Sequence, residues 1–129
     1  MAAPPERHTV GSAGAEISAG LVQLMHEYTG RGPTGARTTI SDESVVVLLR
    51  NVLTRAERRL ADEGHAETVL DFRGKFQQAM RADMVAVVER VTGLQVAASM
   101  SASHFEPDMA CEIFVLEPTT SDRDPLLKA

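Results

Sequence analysis

Residues 44–52 read SVVVLLRNV. Val45 to Leu49 are five consecutive apolar residues, three of them β-branched. Such a run is too short for an amphipathic helix and too continuous for a strand with one wet face. It reads as a strand buried on both sides. Any fold that contains it must supply a layer against each face, from this chain or from another.

The flanking sequence suggests the rest of the layer. "ARTTI" (36–40) is β-prone, and Ser41-Asp42-Glu43 joins it to the apolar run, giving a hairpin. Before it, Ile17, Leu21, Leu24 and Tyr28 recur at steps of four, three and four, with Met25 beside them. This spacing predicts an amphipathic helix over 13–29, stopped by Gly30 and Gly32. After it, Thr54 followed by Glu57 forms a capping-box pattern that opens a helix running to about Glu63 and broken at Gly64. A long helix follows from about Ala66. Its stripe is Val69, Phe72, Phe76, Met80, Met84, Val87 and Val91, and Thr92-Gly93 ends it.

Two strands complete the core. In residues 94–103, Leu94, Val96, Ala98, Met100 and Ala102 alternate with Gln95, Ala97, Ser99, Ser101 and Ser103. "HFEPD" connects this segment to "MACEIFVL" (109–116). The order α-β-β-α-α-β-β predicts an α/β two-layer sandwich: a mostly antiparallel four-stranded sheet with helices on one face. The domain is expected over 13–117, with flexible tails at 1–12 and 118–129. Val46, Leu48, Phe114 and Leu116, with Ser99 and Ser101, are expected on the second face of the sheet. A partly apolar, uncovered face implies a subunit interface, so a homodimer is the expected partner arrangement.

Composition narrows the function classes. The net charge of −5 argues against general nucleic-acid binding, which needs a positive surface for phosphates. No apolar run is long enough to span a bilayer, and the N-terminal residues lack a secretory pattern. The single Cys111 excludes an internal disulfide and suits a reducing compartment, so a cytoplasmic location is expected. Within its apolar strand it reads as a buried structural thiol.

The chemistry-bearing residues are few. "GRGPTG" (30–35) is neither a P-loop nor a dinucleotide fingerprint: a helix precedes it, a strand follows, and no Lys-Ser/Thr pair is present. It reads as a helix-ending turn. A second reading makes Gly30, Arg31 and Gly32 a small-anion site, glycine allowing close approach and arginine holding an oxyanion. Arg73, one position from the helix stripe, could reach a carboxylate or join such an anion site. "HEYTG" lacks the second histidine of a zincin helix, and His26 and His65 have no sequence partner. His104, Glu106 and Asp108 alternate in the "HFEPD" loop but read as a solvated connection, with no metal expected. No cofactor is expected. No paired carboxylates or nucleophile-base arrangement stand out, so an enzyme is not expected.

Read in order, "YTGRGPTGARTTISDESVVVLLRNVLTRAERRL", "RGKF", "ERVTGLQV" and "CEIFVLE" resemble the MpsC-like family of small bacterial and archaeal domains. The resemblance spans about residues 15–117. It rests on the turn at 30–33, Leu53-Thr54 with Glu57, Arg73 with Phe76, Thr92-Gly93 and Phe114-Val115-Leu116. The family takes its name from a sodium-translocating, membrane-potential-generating system. The resemblance implies a soluble accessory protein beside membrane subunits of ion or inorganic-carbon transport, peripheral to the inner face of the membrane. It brings no catalytic residues. The expected function is a non-enzymatic interaction or regulatory module for a membrane ion- or bicarbonate-transport system. The alternative is a small-anion or nucleotide sensor built on the Gly-Arg-Gly-Pro loop.

Overall fold

A computed structural model describes residues 10–118. Its elements are α1 (Val10–Thr29), β1 (Gly35–Ile40), β2 (Ser44–Arg50), α2 (Arg55–Asp62), α3 (Ala66–Thr92), β3 (Val96–His104) and β4 (Met109–Leu116). The strands form one antiparallel sheet in the order β1-β2-β4-β3, the mixed α+β arrangement read from the sequence. Helix α1 begins at Val10, so residues 10–12 are helical. Residues 1–9 and 119–129 of the expected tails lie outside the described residues.

Helices α1 and α3 cover one face of the sheet. Ile17, Leu21 and Met25 meet Val45, Val47 and Leu49 of β2, Met80, Met84 and Val88 of α3, and Phe114 and Leu116 of β4. Tyr28, expected on the α1 stripe, lies at the surface. A 2.7 Å hydroxyl bond between Ser18 and Thr38 fastens α1 to β1. Helix α3 ends at Gly93, whose φ of 74° is the left-handed geometry of a C-cap and whose N–H donates to Glu89 O.

The sheet register corrects the expected facing of β4. Phe114 pairs with Val45, and cross-strand partners share a face. Phe114 and Leu116 therefore point into the helix side and are buried. The residues that join Val46 and Leu48 on the open face are Cys111, Ile113 and Val115. The alternation in "MACEIFVL" is apolar at both phases apart from Glu112, so the pattern could not choose between them.

Strand β3 is corrected in the same way. Ser99 pairs with Phe114 and Ser101 with Glu112, which turns the serines toward the helices and Met100 toward the open face. The register shifts between Val96 and Ala98, so a bulge puts Val96 opposite Leu116 on the core side. One extra residue thus reverses the phase of a period-two pattern.

Helix α3 departs from its expected stripe for a matching reason. Its buried residues are Val69, Arg73, Gln77, Met80, Met84, Val87 and Val88. Phe72 is 50% exposed, whereas Arg73 is 1% exposed. The first half of α3 meets a polar patch, Ser101, Ser103 and Glu112, so polar side chains face it. Gln77 Nε2 donates to Ser103 Oγ at 3.3 Å.

Candidate functional site

The Gly-Arg-Gly-Pro turn is built from α1 outward. Gly30 has φ 79° and donates its N–H to His26 O at 2.8 Å, closing the helix. Thr29 Oγ1 donates to Met25 O and accepts from Arg31 N. Gly32 serves a different purpose from the one expected. A Cβ there would stand 3.3 Å from Val22 Cγ1 and 3.4 Å from Val22 O, so the glycine lets the loop lie against α1. Arg31 reaches the far side of the turn and donates from Nη2 to Asn51 O at 3.4 Å.

Asn51 is itself unusual, a non-glycine residue at φ 61°. Asp108, from the loop between β3 and β4, holds this corner. Its carbonyl accepts from Asn51 N, and its carboxylate accepts from Val52 N at 3.0 Å and Leu53 N at 3.2 Å. Arg58 Nη2 donates to the same carboxylate at 2.6 Å. His104 is bonded to Pro107 O within its own loop. Cys111 is half-buried on the open sheet face, where burial pushes its thiol pKa up, with Glu112 adding to the effect. Among the described residues no group of three or more His, Cys, Asp or Glu side chains could hold a metal ion.

Arg73 and Glu57 join α3 to α2. Thr54 caps α2 as the sequence predicts: Glu57 N donates to Thr54 Oγ1 at 3.1 Å, and Thr54 N to Glu57 Oε1 at 2.8 Å. The same Oε1 accepts from Arg73 Nη1 at 3.4 Å. The salt-bridge reading of Arg73 thus has its carboxylate. On the other side Arg73 and Arg81 favour the ionised form of Glu112, and Ser101 donates to its carboxylate. Burial outweighs them and pushes the Glu112 pKa up to about 7. Gly30, Arg31 and Gly32 lie on the turn after α1, whereas Arg73 lies on α3. The Arg31 guanidinium donates from Nη2 to Asn51 O, and its Nε, like Nε and Nη2 of Arg73 and Oε2 of Glu57, is buried with no hydrogen-bond partner among the described residues.

A different site emerges where α1, α2 and α3 meet. Because Arg73 and Gln77 take the sheet-facing positions, Phe72 and Phe76 turn sideways. They pack edge to face with centroids 5.0 Å apart, and Phe76 meets Tyr28 at 6.4 Å. Tyr28 OH donates to Asp83 Oδ2 at 2.8 Å, a bond that raises the phenol pKa. These rings, with Leu60, Val69, Ala56 and the Thr54-Glu57 cap, line a groove of about 540 Å³. Leu60 and Phe72, on its rim, are 41% and 50% exposed. The groove is apolar, with Glu57 as its one ionisable carboxylate and Tyr28 as its phenol. Such a surface suits an apolar partner segment better than a polar reactant. The sequence signal for it, Phe72 and Phe76 at a helical spacing, is the same one that a core would give.

The family model for the Na+-translocating membrane potential-generating system (MpsC) matches residues 9–118, most of the chain. The chain belongs to the MpsC family. No curated protein and no solved structure is significantly similar to it. The family takes its name from a Na+-translocating, membrane potential-generating system, which suggests an association with such a system. Among the described residues no helix is long and apolar enough to cross a membrane.

Proposed function

We propose that this MpsC-family chain is a soluble, non-enzymatic accessory module of a Na+-translocating membrane system. It works as a homodimer at the cytoplasmic face of the membrane. The family match over residues 9–118 carries this reading. The groove supports it by offering half-exposed Leu60 and Phe72 as a docking surface for an apolar segment of a membrane subunit. The test is to delete the gene in its own host and follow Na+-dependent membrane potential with a voltage-sensitive dye. The expected result is a loss of potential that the wild-type chain restores and a Phe72→Asp chain does not. An unchanged potential in the deletion strain overturns the accessory role. Full rescue by Phe72→Asp would move the docking surface elsewhere.

One observation favours a second reading, an anion sensor. Arg31 Nε is buried with no protein partner among the described residues. Against it, the turn lies at the C-terminal end of α1, where helix carbonyls repel an anion. The anion titration described in the Discussion decides it.

A further inference from the structure

The sheet face turned away from the helices carries Val46 and Leu48 of β2, Cys111, Ile113 and Val115 of β4, and Met100 of β3. An antiparallel sheet with one wet face alternates apolar with polar residues. Here the open-face positions of both central strands are apolar from Val46 to Leu48 and from Cys111 to Val115, and Met100 is 50% exposed. The face is large enough to matter. Four strands at ~4.8 Å and about seven residues at ~3.3 Å give roughly 400 Å² in plan. Two such faces, with side-chain relief counted, reach the ~1,000 Å² that a specific interface needs.

The charges indicate what covers it. Among the described residues the open face bears no carboxylate. Its basic residues, Arg37 and Arg50, flank a depression of about 240 Å³ over Leu48, and Arg50 closes one end of β2. The opposite end of β2 leaves an acidic turn, Asp42 and Glu43, both exposed. The two ends of β2 are about 20 Å apart. A surface that is apolar in the middle, basic at one end and acidic at the other is complementary to itself when inverted.

We propose that a second copy of this chain packs face to face on this sheet. Its two-fold axis lies in the interface and runs perpendicular to the strands. Arg50 of each copy then stands over the Asp42-Glu43 turn of the other. A two-fold axis parallel to the strands would instead stack the basic ends on each other. Both copies of Cys111 fall inside the interface. Sheets pack ~10 Å apart, beyond the ~4.4–6.8 Å Cα separation of a disulfide, so the thiols are shielded and not bridged. The helical layers, and with them the two Phe72 grooves, face outward on opposite sides. The dimer is therefore bivalent and can join two partner segments.

This inference rests on the homodimer reading above and not on the membrane role. Sedimentation of the full chain across the micromolar range, with its variants, tests it. Twice the 13.9 kDa chain mass is expected. Met100→Glu places a charge in the interface and should raise the dissociation constant about tenfold or more. Its circular dichroism at high dilution should match the wild type, since Met100 lies outside the core. Arg50→Glu and Glu43→Arg should each weaken the dimer, and the double variant should recover it. The rate of Cys111 modification by a thiol reagent should fall as the dimer forms. A monomer throughout overturns both the inference and the homodimer reading. A dimer insensitive to Met100→Glu overturns this interface and leaves the homodimer reading standing. A dimer that loses affinity in Met100→Glu but shows no charge-swap recovery overturns the orientation.

Discussion

Asp108 and Arg58 stand 2.6 Å apart across fifty residues of chain. Arg58 is 43% exposed, but the Asp108 side chain is 7% exposed and also accepts from two backbone amides. The carboxylate thus joins the β3–β4 loop to the segment that leads from β2 into α2.

The two halves of that contact should differ in cost. Asp108→Ala leaves the amides of buried Val52 and Leu53 without an acceptor and should destabilise the chain by ~2–4 kcal/mol. Arg58→Ala removes a half-exposed ion-pair partner and should cost ~1 kcal/mol or less. Denaturant melts of both variants measure this. Equal losses would mean that the ion pair, not the amides, gives Asp108 its weight.

Thr54→Ala should cost ~1 kcal/mol, because the Glu57 amide loses its cap. An unchanged denaturation midpoint would show that the cap contributes nothing in solution.

Glu112 makes stability depend on pH in the direction opposite to an ordinary surface carboxylate. Its folded pKa, about 7, lies above the usual 4.5, so the folded chain holds a proton that the unfolded chain has lost. The stability from this site is fully present below about pH 4.5 and is lost as pH rises through about 7. Glu112→Gln mimics the protonated form. The variant should gain on the wild type between pH 5 and 8 by an amount on the order of a few kcal/mol. Parallel melting-temperature profiles for the two chains would contradict the assignment.

The turn at 30–33 gives two separable outcomes. Gly30→Ala should destabilise by ~1 kcal/mol or more, since the strain of φ 79° applies even with nothing within 4 Å of the added Cβ. Arg31→Ala tests the anion reading. A ligand at one hundred times its dissociation constant stabilises the native state by ~2.7 kcal/mol. Wild type and Arg31→Ala are melted in bicarbonate, phosphate and nucleotide at fixed ionic strength. A wild-type midpoint that ignores all three, or a gain that survives in Arg31→Ala, leaves the segment a turn.

Local signals were legible in the sequence wherever one residue type has one cause. The element order, the Thr54-Glu57 cap, the left-handed Gly30 and the Thr92-Gly93 stop all follow from short-range chemistry. Facing was harder to read. In β4 both phases are apolar, and in β3 a bulge between Val96 and Ala98 reverses the alternation. In α3 the apolar spacing followed Phe72 and Phe76, while tertiary pairing drew Arg73 and Gln77 inward to meet Ser103 and Glu112. The groove was hidden for the same reason: its aromatic lining and a core stripe share one periodicity.

The polar patch beneath the first half of α3 also selects a register. An all-apolar helix could settle on an apolar sheet in several registers of nearly equal energy. Sliding α3 by one turn, about 5.4 Å, would carry Gln77 away from Ser103 and Arg73 away from Glu57. Each displaced seating would give up these two bonds, at ~1 kcal/mol apiece. Arg73 and Gln77 thus act as an alignment key that favours one seating of α3 over its neighbours.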